Sequence, residues 1–361
     1  MSRVYNFSPG PAMLPIEVIE QARQDMLDWQ GLGVGVMELS HRSPQFMQMI
    51  EKIEVDLREL LKIPMNYRVL FLAGGATQQF AMLPLNVLRG KNTADYLDTG
   101  IWSQKAIKEA QKYCQVNIVA SAASDYNFIP ARDTWQCHAN AAYFHYTANE
   151  TISGVEFNHI PEVGQVPLTA DFTSNILSSP IDVARFGVIY AACQKNLGIA
   201  GMTVVIVRED LLNQAHPMTP AVYNYRLQAE QRSLYNTPPT LSWYLCGLVL
   251  DWLKRQGGLT AIDAINRRKA AKLYASIDNS QGFYINRVAP DFRSLMNIPF
   301  NIQRADELES LFLKEALQAG LAYLKGHKLQ GGIRASLYNA MPEAGVNALC
   351  EFMQEFKQRY A

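Results

Sequence analysis

The stretch 171–207 constrains this chain more than any other. It begins with a carboxylate in Asp171-Phe172-Thr173-Ser174-Asn175. After a polar connection it runs through Gly187-Val188-Ile189-Tyr190-Ala191-Ala192 into Cys193-Gln194-Lys195-Asn196. A second apolar run, Thr203-Val204-Val205-Ile206-Val207, follows at once. Runs this short, rich in β-branched residues and bounded by Gly and Ser, predict buried strands. They put an acid at the end of one strand and a lysine at the end of another. In an open α/β sheet those carboxyl ends face the crevice where ligands bind. A lone lysine there is a poor catalyst. A lysine with a carboxylate on a neighbouring strand is the pair that pyridoxal 5′-phosphate (PLP) requires: an amine to attach it and an anion for its ring nitrogen.

The rest of the chain alternates strand and helix around that stretch. Residues 1–14 are punctuated by Pro and Gly, and a helix is expected after Pro15 on apolar positions Ile16, Val18, Ile19, Ala22, Met26, Leu27 and Trp29. The glycines of 31–36 do not complete a dinucleotide fingerprint, because its last glycine is Val36 and no strand precedes it; a loop is expected. Ser43 can cap a helix beginning at Pro44. Strands are expected at 68–72, 95–98, 116–120 and 141–147. Gly74-Gly75-Ala76-Thr77 opens a helix after the first, and free N–H groups at such a start suit an anion. Trp102 sits just past the second, where its ring can stack on a planar ligand or pack in the core. This pattern predicts a mostly parallel α/β sheet with helices on both faces. After the elbow Asn236-Thr237-Pro238-Pro239 comes an apolar helix, and Gly257-Gly258 ends it. Helices at 259–277, 305–319 and 342–359 and short strands near 295–302, 321–325 and 331–337 then predict a smaller α+β domain. The division expected is an N-terminal segment 1–14, a large domain 15–257 and a small domain 258–361.

Composition excludes several classes. With 361 residues, 48% hydrophobic, the chain can bury a core of two-domain size. Lys plus Arg and Asp plus Glu number 33 each, so no net basic field argues for nucleic acid. The five cysteines are scattered and odd in number, which fits reduced thiols in the cytoplasm better than a disulfide frame or a zinc site. The most apolar stretch, 241–253, is too short to cross a membrane and contains Asp251. The N-terminus has no apolar leader segment.

Taken together, the motifs resemble those of the phosphoserine aminotransferases, fold-type-I PLP enzymes. The likeness runs nearly end to end: Asn6-Phe7-Ser8-Pro9-Gly10-Pro11, Ser40-His41-Arg42, Gly74-Gly75, Asn149-Glu150-Thr151-Ile152-Ser153-Gly154, Ala170-Asp171-Phe172-Thr173-Ser174, Gln194-Lys195-Asn196, Asn236-Thr237-Pro238-Pro239-Thr240 and Gly331-Gly332-Ile333-Arg334-Ala335-Ser336. Each is short, but their joint occurrence in the family's order is specific. The resemblance implies that Lys195 carries the cofactor and shuttles the Cα proton, and that Asp171 pairs with the ring nitrogen. It implies that Trp102 stacks on the ring, Thr151 contacts its phenolate side, Gln194 lies by the phosphate, and Ala76 and Thr77 give the phosphate their backbone N–H groups. Asn236 and Thr237 would reach that phosphate from a second subunit, making a homodimer with shared sites. Arg334 would take the α-carboxylate of either substrate, L-glutamate or a phosphorylated 2-oxoacid. His41, Arg42, His327 and Lys328 would be candidates for the distal anion. Thr77 and Lys328 stand where some family members have arginine, which removes one possible contact and replaces a bidentate fork by a point charge.

The implied activity is glutamate-dependent amination of 3-phosphohydroxypyruvate in serine biosynthesis, with 2-oxo-3-hydroxy-4-phosphobutanoate of vitamin B6 synthesis as a second acceptor. A cysteine desulfurase and an alanine–glyoxylate-type aminotransferase are the other fold-type-I readings. The first would need a reactive cysteine on an exposed loop.

Overall fold

A computed structural model describes the chain except for residues 1, 2, 304 and 305. Its centre is a seven-stranded sheet. The spatial order is Tyr67–Ala73, Met202–Arg208, Val188–Ala192, Leu168–Asp171, Phe144–Thr147, Thr93–Asp98, Gln115–Ser121. Every residue of Leu168–Asp171 and Val188–Ala192 is buried. This is why Val188–Ala192 reads as an unbroken apolar run and not as an alternating pattern: helices cover both faces.

One strand departs from the parallel expectation. Met202–Arg208 runs antiparallel to both its neighbours, pairing Val205 with Leu70 on one side and with Tyr190 on the other. A parallel return needs a crossover of a dozen or more residues. The connection 193–201 is shorter and turns back directly. The remaining strands are mutually parallel, so their carboxyl ends all open on one edge.

The first helix, Ile16–Asp25, ends before Met26, and of its apolar positions only Val18 and Ala22 are buried. Ser43 caps Pro44–Leu61 by accepting from the Phe46 N–H at 3.2 Å. The glycines at 31–36 lie in a turn that follows helix Ile16–Asp25 and not a strand.

The C-terminal part builds a three-stranded antiparallel sheet from Tyr284–Ile285, Asn297–Ile302 and Ile333–Ser336. Helix Gly258–Asp278 gives Leu259 and Ile262 to the large core, and Ala270, Leu273 and Ile277 to the small one. The N-terminal segment belongs with the small core as well: Tyr5 and Asn6 pair in parallel with Leu321 and Ala322, and Phe7 is fully buried there. Buried Lys269 donates to the carbonyls of Leu337, Tyr338 and Met341 at 3.0, 3.0 and 3.1 Å. Asn266 donates to Asn339 Oδ1 at 2.8 Å. These bonds fix the turn after Ile333–Ser336, which faces the large sheet. No helix among the described residues is long and apolar enough to cross a membrane.

Candidate active site

Five parallel strands end at one cavity of about 250 Å³. After Tyr67–Ala73 come Gly75, Ala76 and Thr77; after Thr93–Asp98 comes Trp102; after Phe144–Thr147 come Asn149 and Thr151. Leu168–Asp171 delivers Asp171 itself, and Val188–Ala192 is followed by Gln194 and Lys195. The last two strands are direct neighbours, with Asp171 opposite Tyr190. Pro9 and Gly10 from the N-terminal segment, and His327 and Arg334 from the small unit, close the cavity. A larger groove of about 800 Å³ lies elsewhere, lined by Glu17, Lys52 and Tyr244 among others. Its lysine is already satisfied, since Lys52 bridges Asp56 and Asp251 at 2.5 Å each.

Lys195 is buried and has no hydrogen-bonded anion. Its amine donates to Thr151 Oγ1 and Ser174 Oγ, both at 2.7 Å, and these two hydroxyls are 2.5 Å apart. Burial pushes the lysine down to about 7, against the pull of Asp171, with a further push from Arg334 and a weaker opposing pull from Glu150. An amine in that range is unprotonated often enough at neutral pH to attack a carbonyl and to take a proton.

Asp171 is buried, and burial raises its pKa; hydrogen bonding from Thr173 and the charge of Lys195 work against that rise. The Thr173 N–H reaches Asp171 Oδ1 at 2.8 Å. A carboxylate so placed gains most from a cation brought to it in the cavity.

Helix Ala76–Val87 starts at Gly75 with no side-chain cap. Its first amides therefore remain available to an anion. Gly74 sits at φ +112°, a conformation that favours glycine at this strand-to-helix turn. The start of helix Ile101–Ala110 is different: Glu150, fully buried, accepts from the Trp102 N–H at 3.0 Å and the Ser103 N–H at 2.8 Å. Trp102 Nε1 is buried without a partner, and Lys105 Nζ lies 4.4 Å from the centre of the Trp102 ring.

Arg334, on strand Ile333–Ser336, is buried, and burial lowers its pKa. One Nη makes a long 3.4 Å bond to the Thr151 carbonyl, and Nε has no partner. His327 lines the cavity, and burial together with the positive charges of Arg334, Lys105 and Lys328 holds it below its ordinary value. Lys328 is exposed beside it. Neither Lys328 nor the remaining four residues line this chain's cavity. Arg42, Asn236 and Thr237 are exposed and His41 is half-buried, and none of the four lines it.

The geometry also adds residues to which sequence reasoning gave no role. Ser174 holds the lysine; its signal was present, a hydroxyl three residues beyond Asp171. Glu150 and Tyr338 had none. Tyr338 donates to the Pro9 carbonyl at 2.8 Å, and its ring centre lies 6.0 Å from Lys195 Nζ.

The class-V aminotransferase family model matches residues 4–349. A phosphoserine aminotransferase of Hahella chejuensis is 54% identical over 360 residues, 99% of each chain. The solved phosphoserine aminotransferase of Bacillus circulans subsp. alkalophilus superposes with a TM-score of 0.97 at 45% identity, covering 99% of both chains. That of Trichomonas vaginalis, solved with PLP bound, gives 0.95 at 42% identity, covering 98% of this chain and all of the other. The lysine and carboxylate at adjacent strand ends thus sit in a fold shared throughout with these enzymes, and the chain belongs to the phosphoserine aminotransferase family of class-V aminotransferases.

Proposed function

We propose that this enzyme moves an amino group from L-glutamate to 3-phosphohydroxypyruvate, giving 2-oxoglutarate and 3-phosphoserine, with PLP as cofactor. The observation that carries this reading is the buried Lys195 amine beside Asp171, in a cavity bounded by the uncapped start of Ala76–Val87 and by Arg334. The residues fit the cofactor. Free helix amides suit its phosphate, an under-paired buried carboxylate suits its ring nitrogen, an indole at the cavity wall suits its ring plane, and a partly neutral lysine suits its aldehyde.

When bound, the cofactor withdraws electrons from the substrate Cα, so that the Cα proton becomes acidic. Lys195 is the attachment point and then the base that carries this proton, and the hydroxyls of Thr151 and Ser174 aim its amine. Asp171 keeps a proton on the ring nitrogen by supplying the opposite charge in a dry environment. Ala76 and Thr77, through their N–H groups, and Gln194 hold the phosphate. Trp102 would set the ring plane and Thr151 would meet the phenolate side of the ring, since both line the cavity. Arg334 takes the α-carboxylate, for which its planar fork is suited. Its unpartnered Nε supports this role, because a buried guanidinium donor without an acceptor is costly until a ligand supplies one.

The distal anion requires hydrogen-bond donors and positive charge at the other end. From the same chain come His327, a neutral donor, and the Lys328 charge. We assign Asn236 and Thr237, with His41 and Arg42, to a second subunit of a homodimer, where they complete the neighbouring site. The exposure of Arg42, Asn236 and Thr237 in the single chain supports this, as do the exposed apolar side chains of Ile19, Met26, Leu27, Leu32, Val34 and Met37 before His41. We also keep the division into 15–257 and 258–361 preceded by residues 1–14, and a reducing cytoplasmic setting, which the five unpaired cysteines support.

The desulfurase alternative loses its nucleophile: no cysteine lines the cavity, Cys137, the one exposed cysteine, lies in a loop outside it, and desolvation pushes the thiols of Cys114, Cys137, Cys193 and Cys350 up. The deciding experiment is half-reaction spectroscopy. The visible band of the PLP-loaded protein should be lost with L-glutamate and restored by 3-phosphohydroxypyruvate. Borohydride trapping followed by peptide mapping should place the cofactor on Lys195. Recovery with glyoxylate and not with the phosphorylated acid would instead give an alanine–glyoxylate-type enzyme. In the same assay, recovery with 2-oxo-3-hydroxy-4-phosphobutanoate, which separates the two anions by one more carbon, tests the vitamin B6 acceptor.

A further inference from the structure

Two helices begin at the mouth of this cavity, and their N-termini are in opposite states. Ala76–Val87 starts uncapped. At the start of Ile101–Ala110 the amides of Thr99, Gly100, Trp102 and Ser103 are already paired. Ser103 Oγ accepts from the Thr99 and Gly100 N–H groups at 2.9 Å each, and Glu150 accepts from those of Trp102 and Ser103. A fully buried carboxylate with no lysine or arginine at hydrogen-bond distance is expensive. The dipole of the helix start offsets part of that cost. The fit is close: a Cβ at residue 100 would come within 2.4 Å of Glu150 Cδ, so any larger residue there would displace the carboxylate from its two amides.

The geometry points to Glu150 as the residue that positions the Trp102 ring for the reaction, acting through the Trp102 backbone. Three observations converge on this. Glu150 bonds to the amide of Trp102 itself. The next residue along the chain, Thr151, holds the Lys195 amine, so a single dipeptide ties the ring wall to the catalytic lysine. The hairpin bearing the dipeptide is braced, with Glu150 paired to Val155 and the Gly154 N–H donating to the Glu150 carbonyl at 2.8 Å. Glu150 touches neither substrate nor cofactor in this scheme, so it is a positioning residue. A carboxylate and not an amide is required, because both of its oxygens must accept from N–H donors; glutamine would turn an NH₂ toward one of them.

The inference rests on PLP being the ring that Trp102 faces, and the test uses cofactor binding instead of turnover. Apo-protein is titrated with PLP, and binding is followed by the circular dichroism induced in the cofactor's visible band. Wild type, Glu150→Gln, Trp102→Ala and the double variant form a cycle. Loss of a charge-assisted hydrogen bond predicts that Glu150→Gln weakens PLP binding about tenfold or more and alters the induced signal. In the Trp102→Ala background the same change should cost less than about twofold, because the ring it positions is gone. Equal weakening in both backgrounds, or none in the first, would overturn the proposal. If Glu150→Gln does not fold, the cycle is run with Glu150→Asp, which keeps the charge but is too short to reach both amides. Failure of both variants to fold would show that the carboxylate is purely structural, and would also overturn it. Wild-type protein that takes up no PLP would sink the cofactor reading and this inference together. An additive cycle in a protein that binds PLP sinks this inference alone.

Discussion

The Lys195 amine donates to the Thr151 hydroxyl at 2.7 Å, deep enough that no water need share it. Burial brings the lysine down to about 7 from an ordinary 10.5. In apo-protein the rate of PLP capture should therefore rise with pH around 7 and level off above it, well short of 10. Hydroxyl acceptors favour the charged amine, so Ser174→Ala should move that midpoint to lower pH. Stability carries the same sign. Between about 7 and 10.5 the unfolded lysine binds a proton that the folded one does not, so this residue makes stability rise with pH across that window. Stopped-flow absorbance of PLP uptake against pH measures the midpoint. A midpoint near 10 would mean that the amine is hydrated and not buried.

Asp171→Ala should bind PLP more weakly and slow Cα proton removal by orders of magnitude. The cause is loss of the charge that keeps the ring nitrogen protonated, not loss of one contact. Asp171→Asn retains the shape and should share most of the defect, which separates charge from packing. Single-turnover rates with glutamate compare the two. Near-normal turnover in Asp171→Ala would give the task to another group, and Glu150, the other buried carboxylate with an electrostatic pull on Lys195, would be the first to examine.

The large sheet and the lysine–carboxylate pair were legible because buried strands such as Val188–Ala192 and Met202–Arg208 leave short apolar runs, with Lys195 three residues past the first and Asp171 at the end of a neighbouring strand. The direction of Met202–Arg208 was not, since it depends on how the short connection 193–201 turns and not on side-chain pattern. Strand Tyr5–Asn6 is two residues long and exists through its partner Leu321–Ala322, so no local signal marks it. Glu150 and Tyr338 escaped for the same reason: their partners lie 48 and 329 residues away along the chain. His41, Arg42, Asn236 and Thr237 were attached to the site by resemblance alone, and one chain does not bring them to the cavity.

That separation gives the subunit reading a direct test. If Asn236 and Thr237 serve the partner's cofactor, a two-fold dimer builds two composite sites. Mixing Lys195→Ala chains with chains carrying both Asn236→Ala and Thr237→Ala yields heterodimers in which one site holds both lesions and the other holds neither. Activity should rise above that of either parent once subunit exchange is confirmed, provided the double variant is itself impaired. Confirmed exchange without a gain would return the elbow to its own chain.

The two arginine clamps should separate by substrate. Arg334 is buried in the cavity with a free Nε, and both substrates carry an α-carboxylate. Arg334→Ala should therefore weaken the glutamate and phosphohydroxypyruvate half-reactions by similar factors. Arg42 is exposed on its own chain and meets a ligand only across the proposed interface. The group it would meet is a phosphate in one half-reaction and a carboxylate in the other. The phosphate has more charge and three acceptor oxygens, so each cationic contact matters more to it. Arg42→Ala should thus harm the phosphorylated substrate more. A lost charge-assisted hydrogen bond of about 1.5–3 kcal/mol corresponds to roughly ten- to a hundredfold in kcat/KM. Rapid-mixing half-reactions of both variants with each substrate decide the matter. Equal losses in Arg42→Ala, or discrimination by Arg334→Ala, would mean that the clamps are exchanged. No effect of Arg42→Ala on either half would leave that residue a solvated loop charge and hand the distal anion to His327 and Lys328.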